Sequence, residues 1–456
     1  MTYVPNTDAD RAAMIDTIGV SSIDALFANV PRQSGAAALN LPLPMAEAEA
    51  ARHMRQLAAK NANVQDAVSF LGAGGYRHHI PSLVGHITGR GEFYTAYTPY
   101  QPEVSQGTLQ TIYEYQSMVA ELTGMDVANA SMYDGSSALG ESILMAAAVT
   151  HRKRVVIADS VHPQYRQVGA TYASGPGIDI REIAAPRERR FDGRLPRHLA
   201  QARLDDSCAA LIVQQPNFFG GIEDIAALAE AAHAIGALLI VAANPIALGL
   251  LASPGSQGAD IVVGEGQPLG IPLSFGGPWL GIFSAKNDYV RQMPGRIVGV
   301  TNDIEGKRGL VLTLQTREQH IRRERATSNI CTNQALCALA STVYLETLGR
   351  NGLRAVAEQC VRNAHAAASR IGTIPGFTIA NQGPYFHEFV VRCPAPAKDV
   401  CAAMHGRGVL AGYPLGDSYA DLADCLLVCA TEVNTAADIA RLVDGFDEIG
   451  KEAARA

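Results

Sequence analysis

Gly258-Ala-Asp-Ile-Val-Val-Gly-Glu-Gly-Gln-Pro-Leu-Gly-Ile-Pro-Leu-Ser-Phe-Gly-Gly-Pro-Trp-Leu-Gly-Ile-Phe283 sets two short apolar runs, Ile261 to Val263 and Trp279 to Phe283, around a loop dense in Gly and Pro. Each run is short, rich in β-favouring residues and bounded by breakers, so each reads as a buried strand. The loop between them is long for a simple connector, and such loops inside a compact domain are commonly functional. In an α/β protein the end of a core strand is where cofactor chemistry usually sits. This loop contains no lysine.

The strands continue upstream. Arg154-Val-Val-Ile-Ala158, Ile178-Asp-Ile-Arg-Glu-Ile183, Ala209-Ala-Leu-Ile-Val-Gln-Gln215 and Ala237-Leu-Leu-Ile-Val-Ala-Ala243 alternate with helical stretches, one of them Ile225 to Ile235. That alternation predicts a mostly parallel sheet with both faces covered. Polar residues gather just past the strand ends: Asp159 and His162, Gln215 and Asn217, Asn244, Glu265 and Gln267. This is the expected position of a site on such a sheet.

Residues 1–60 read as helical, with Met14, Ile15 and Ile18 on one face of the first helix and Ser22 as N-cap of a second. Between 70 and 107, Tyr76, Tyr94, Tyr97 and Tyr100 fall in a segment broken by Gly and Pro. Tyrosines on such loops form an interface or ligand wall, or pack the loop on the body; both readings stand. His78 and His79 are adjacent with no third ligand spaced nearby, so no metal is expected. Ser105 is expected to cap a helix whose stripe is Leu109, Ile112, Tyr115, Val119 and Leu122, stopped by Gly124. Asp134-Gly-Ser-Ser137 enters the next helix. It could cradle a phosphate, but capping by Ser136 or Ser137 is the simpler reading.

After the opening loop, 291–319 reads as a loop-rich connection and Glu318 to Arg325 as a charged helical turn. Its Arg322, Arg323 and Arg325 suit salt bridges or an anionic partner. Thr332 to Leu348 reads as a long apolar helix. Helices and strands then alternate to the end in a smaller α+β pattern. Three regions result: a helical arm over 1–70, a large α/β domain over 71–330 and a small α+β domain over 331–456.

The totals set outer bounds. A chain of 456 residues supports two or three domains. A net charge of −7 gives no reason to expect nucleic acid or a membrane surface as partner. No apolar run is long enough to cross a bilayer, and Met1 to Asp10 is polar and acidic, so a cytoplasmic location is expected. The eight cysteines lack CxxC spacing and read as small buried hydrophobes.

A large βα domain, a small C-terminal α+β domain and a helical arm match the aspartate-aminotransferase-like fold, fold type I of the pyridoxal-phosphate (PLP) enzymes. Tyr94-Thr-Ala-Tyr-Thr-Pro-Tyr-Gln-Pro-Glu-Val-Ser-Gln-Gly107, Gln214-Gln-Pro-Asn-Phe-Phe-Gly220, Gly264-Glu-Gly-Gln-Pro-Leu-Gly-Ile-Pro272, Phe275-Gly-Gly-Pro278 and Thr313 to Ile330 closely resemble the glycine decarboxylase P-protein family. The likeness runs over nearly the whole chain. Some members join two homologous halves in one chain and others split them. Length and motifs look like the split N-terminal half, subunit 1 of a glycine dehydrogenase (decarboxylating).

The resemblance implies a glycine cleavage system enzyme. With a PLP-carrying subunit 2, as an α2β2 heterotetramer, it decarboxylates glycine and passes the aminomethyl group to the lipoyl arm of the H-protein. The family's chemistry needs a Schiff-base lysine, an acid on the pyridine nitrogen, a ring-stacking group and a phosphate cradle. The lysine belongs in the opening loop, where this chain has Gln267 and Pro268. Its six lysines are at 60, 153, 286, 307, 398 and 451. Lys286 is nearest and follows the next strand. Asn244 stands where the acid belongs, His162 where a ring stacks, and Ser136 and Ser137 at the cradle. The expectation is a subunit without cofactor that contributes Tyr94, Tyr97, Tyr100 and Glu103 to a shared site. Two alternatives remain: an autonomous PLP aminotransferase or decarboxylase using Lys286, and a non-catalytic scaffold.

Overall fold

The computed structural model describes residues 5–30, 40–64, 66–187, 191–330 and 333–454. Two compact units result, 1–62 and 63–456.

In the first unit, Asp8–Ile18 and Glu47–Ala58 are helices. Thr7 and Asp10 form a reciprocal cap: the Thr7 hydroxyl accepts from Asp10 N–H, and Asp10 accepts from Thr7 N–H. Neither helix contains a buried residue. The helix expected after Ser22 is a single 3-10 turn, Asp24–Phe27. Ser22 Oγ accepts only from Ala25 N–H, at 3.2 Å.

The second unit is built on a seven-stranded sheet. Its order is Val127–Ala128, Gly281–Ala285, Ile261–Glu265, Leu238–Ala243, Cys208–Gln215, Arg154–Ala158 and Asp179–Ile183. Only Gly281–Ala285 runs against its neighbours. The two runs of the opening stretch are therefore paired antiparallel, with Glu265 opposite Gly281 and Ile261 opposite Ala285. The central strands are buried on both faces, from Leu211 and Ile240 to Val262. This is why they read as continuous apolar runs and not as alternating ones.

Gln106–Thr123 buries Leu109, Ile112, Tyr115 and Val119 and ends at Gly124 in the left-handed region. Ser105 holds the N-cap position, but its side chain makes no capping hydrogen bond. The region expected to be a loop after 291 contains a hairpin, Ile297–Asn302 against Arg308–Thr313. The Gln106 amide pairs with it: Leu310 N–H donates to Oε1 at 3.0 Å and Nε2 donates to Leu310 O at 2.9 Å. That long-range amide clamp has no local pattern in the sequence. The charged segment beyond is one short helix, Gln319–Arg322, and a 3-10 turn.

The helix expected from Thr332, which lies outside the described residues, begins at Ala335 and runs to Ile371 with a break at Gly349 (φ 57°). A four-stranded antiparallel sheet follows, ordered Thr378–Ile379, Glu388–Arg392, Cys425–Cys429, Tyr413–Pro414. Its core is built from Phe389, Val391, Leu426, Val428 and Phe446. A parallel bridge joins Val68–Ser69 to Val409–Leu410, tying residues just upstream of 70 to the C-terminal region. The seven described cysteines are free thiols, and Cys331 lies outside the described residues. Among the described residues no helix is long and apolar enough to cross a membrane.

Candidate functional site

A cleft of about 350 Å³ opens at the carboxyl ends of the parallel strands. Asp134, Ser136, His162, Tyr165, Glu265 and Trp279 are among its lining residues. A narrower recess continues to Asn244.

Asp134 caps the helix Gly135–Thr150. Its Oδ1 accepts from Ser137 N–H at 2.7 Å, Ser137 Oγ–H at 2.8 Å and Ser136 Oγ–H at 2.5 Å. Neither serine is the cap: Asp134 holds the N-cap position, and its charged carboxylate is a stronger acceptor than a hydroxyl for the orphan N–H groups. Both hydroxyls turn toward a carboxylate, so the seat an anion would take is filled by the chain's own negative charge. Gly135 fits here only because it has no Cβ, which would fall 2.0 Å from the Tyr165 hydroxyl.

Glu265, at the end of its strand, accepts from Gly135 N–H (3.0 Å), Gln267 N–H (2.9 Å) and Leu280 N–H (2.9 Å). Burial pushes its carboxyl up to about 7, against the pull of those three donors. Gln267, in the position expected of the lysine, is buried and fully engaged. Tyr76 N–H donates to its Oε1, and its Nε2 donates to Tyr76 O and Ile271 O.

His162 accepts from Gln164 N–H at Nδ1 (3.1 Å) and donates from Nε2 to Ala73 O (2.7 Å). Both ring nitrogens are thus used by the neutral form, and burial lowers the pKa further. The segment 73–75 presses on the ring: a Cβ at Gly74 (φ 104°) would fall 2.6 Å from Nε2. Ala73 itself sits in the left-handed region at φ 55°. It is pinned by His162 on its carbonyl and by Glu388, which accepts its N–H at 2.6 Å. Glu388 also accepts from the Tyr76 hydroxyl at 2.8 Å, and burial pushes its carboxyl up to about 7. Sequence reasoning passed over Glu388; its signal was a lone carboxylate opening the apolar run Phe389 to Val391.

Asn244 Oδ1 accepts from Ile246 N–H at 2.9 Å, which points Nδ2 toward His387 Nε2, 3.4 Å away. Of the expected site residues, Ser136, His162 and Asn244 border the cleft and its recess, while Ser137 is held under Asp134. Tyr76 is buried apart from the other three tyrosines. Tyr94 and Tyr97 are 70% and 79% exposed and line neither cavity. Tyr100 is half-exposed, its hydroxyl accepting from Arg296 at 3.2 Å and its ring under that guanidinium. Glu103 is exposed in the turn Pro102–Val104.

No lysine lines the cleft. Lys286 lies at the other end of the sheet, beside the Ile261–Ala285 pair, and its Nζ bonds Asp260 Oδ1 at 2.5 Å. Four strand steps, about 13 Å, separate that end from Glu265.

A mostly parallel sheet with its cleft at the strand carboxyl ends, and a small antiparallel domain beyond, define the fold type I PLP enzymes. A crystal structure of glycine decarboxylase (P-protein) of the glycine cleavage system, in inhibitor-bound form, superposes with a TM-score of 0.90 at 42% identity, over 98% of this chain and 100% of that one. Sphingosine-1-phosphate lyase of Burkholderia pseudomallei shares the fold alone, at 16% identity and TM-score 0.65 over 93% and 94% of the two chains. The family model for the glycine cleavage system P-protein matches residues 1–446. A Thermomicrobium roseum protein named "Probable glycine dehydrogenase (decarboxylating) subunit 1" is 52% identical over 98% of this chain and 99% of its own. A Desulforamulus reducens protein of the same name is 52% identical over 96% and 98%. The chain belongs to the glycine cleavage system P-protein family.

Proposed function

We propose that this chain is the subunit of a glycine dehydrogenase (decarboxylating) that does not hold the cofactor. The carrying observation is the position of Lys286, paired with Asp260 at the end of the sheet remote from the cleft. The residues at the cleft do not fit PLP. The lysine position is an amide locked to backbone, the pyridine-acid position is Asn244, the anion seat holds Asp134, and His162 is pressed by 73–75. An amide supplies no charge to keep a pyridinium protonated.

A homologous subunit 2 would then hold the PLP and supply the electron sink that glycine decarboxylation needs. The aminomethyl group passes to the lipoyl arm of the H-protein. The assembly is an α2β2 heterotetramer in the cytoplasm, with 71–330 and 331–456 as large and small domains and 1–70 as an arm. This chain contributes Tyr94, Tyr97, Tyr100 and Glu103 to the wall of the shared site. What supports that role is their exposure away from the chain's own cleft.

The test is an absorbance spectrum of the purified chain with PLP, before and after borohydride reduction, and then activity with and without subunit 2. The expected result is no aldimine band and no covalent adduct, with glycine decarboxylation only when both subunits are present. An adduct mapping to Lys286 would overturn the assignment. Full activity of subunit 2 alone would overturn the shared site.

A further inference from the structure

Outside the cleft, three segments far apart in sequence meet at His78, Cys360 and Glu432. The ligand atoms of all three lie within 4.8 Å of one another. His78 Nδ1 is 2.7 Å from Glu432 Oε2, and Cys360 Sγ is 3.4 Å from the same oxygen. The His78 side chain is 2% exposed, Glu432 is 12% exposed and Cys360 is fully buried. Local spacing gave no third ligand for the His78-His79 pair; the fold supplies two from other segments.

The cluster is held by its surroundings. His79 N–H donates to Glu432 Oε1 at 2.7 Å. Thr431 Oγ donates to Arg77 O at 2.6 Å, clamping the two loops that carry the histidine and the glutamate. Asn363, one turn along the helix from Cys360, donates to Thr431 O and Asn434 O. Supporting hydrogen bonds of this kind orient the ligands of metal sites.

A second observation points to a ligand. The Tyr344 hydroxyl, before the Gly349 break in the helix that carries Cys360, is buried with no hydrogen-bond partner, and burial, with Glu432 and Cys360 adding to it, pushes its phenol up. Nε2 of His78 is likewise buried and unpartnered, which leaves Nδ1 to Glu432 as the ring's hydrogen bond among the described residues. Buried polar atoms left empty beside a donor cluster carry a desolvation cost that a ligand would relieve.

We propose that His78, Cys360 and Glu432 form a binding site for one divalent cation of the zinc class. Nitrogen, sulfur and carboxylate oxygen together suit zinc better than magnesium or calcium, which favour all-oxygen sets. A divalent cation against one thiolate and one carboxylate leaves the buried site neutral, removing the cost of isolated charge there. Binding forms the sulfur–metal bond as the Cys360 S–H proton leaves to solvent; where Nδ1 of His78 ligates, the proton it shares with Glu432 moves to the unpartnered Nε2, and nothing is oxidised or reduced. The bound ion would tie the loop after Gly75 to the C-terminal domain.

The test uses the full chain, reduced, stripped with chelator and reloaded with zinc or cobalt. Elemental analysis after gel filtration should give one zinc per chain, and the cobalt form should carry a near-ultraviolet thiolate charge-transfer band. Cys360→Ser should abolish that band, and His78→Ala and Glu432→Gln should weaken zinc binding about tenfold or more, with circular dichroism confirming the fold of each. Metal no higher than in the buffer, a cobalt spectrum without a thiolate band, or a band that survives in C360S would overturn the proposal and leave a hydrogen-bonded triad.

Discussion

Gln267 and Tyr76 exchange two hydrogen bonds, Tyr76 N–H to Gln267 Oε1 and Gln267 Nε2 to Tyr76 O, each 2.9 Å long. The amide side chain thereby acts as a short strand, joining the 70s loop to the loop that opens after the sheet. Lysine has three donors and no acceptor, so Gln267→Lys would orphan Tyr76 N–H in the interior. The expected cost is about 1–3 kcal/mol, read as a lower urea midpoint at unchanged m-value. The variant should still form no adduct with PLP, because the anion seat remains filled by Asp134. An adduct in Q267K would mean the rest of the cofactor site is intact.

Asp134 holds three hydrogen bonds at the helix entrance. Asp134→Ala should destabilise the chain by about 1–2 kcal/mol, the usual loss for an N-cap. Asp134→Asn keeps an acceptor and should lose less. With the carboxylate gone, the serine hydroxyls and helix N–H groups become free for an anion. Phosphate should therefore stabilise D134A in thermal melts and leave the wild type unmoved; equal response of both would refute this account of the seat.

The exposed tyrosines make the prediction that bears most directly on the proposed shared site. Tyr97→Ala and Tyr100→Ala should each lower turnover of the reconstituted enzyme about tenfold or more, in the range of lost positioning contacts, while gel filtration still finds the complex. Tyr100→Phe removes only the acceptor for Arg296 and should lie between. Wild-type turnover in both alanine variants would sink the assignment.

Glu141 is 2% exposed on the helix Gly135–Thr150, and burial pushes its carboxyl up to about 7. Its ordinary value is 4.5, so between those values the folded chain holds a proton that the unfolded chain has lost. Its contribution is full below pH 4.5 and is lost as pH rises through 7. The size is about 3 kcal/mol at most. Glu141→Gln should flatten the decline in stability between about pH 5 and 7; the same slope in both proteins would mean the carboxyl is already ionised in the fold.

How much of this was legible beforehand differs by element. The strands 154–158, 208–215, 238–243 and 261–265 were readable because each is built on an unbroken apolar run, with polar residues only at its ends, the pattern of a doubly covered parallel strand. The hairpin Ile297–Asn302 with Arg308–Thr313 was not. Its outer half is exposed, so Arg308 and Lys307 masked the alternation. Ser136 and Ser137 looked like caps because a hydroxyl before an apolar helix commonly is one; a carboxylate two residues earlier took the donors.

The sequence by itself determined the sheet, the family and the absence of a lysine from the opening loop, because apolar periodicity and residue identity are local properties. Only the tertiary structure decided that Gln267 clasps Tyr76, that Asp134 fills the anion seat, that Lys286 lies at the far end and that His78 meets Cys360 and Glu432. Each of these joins polar groups whose partners lie elsewhere in the chain. Burial forces every such group to find a partner, but which one it finds is fixed only when the core has closed around it.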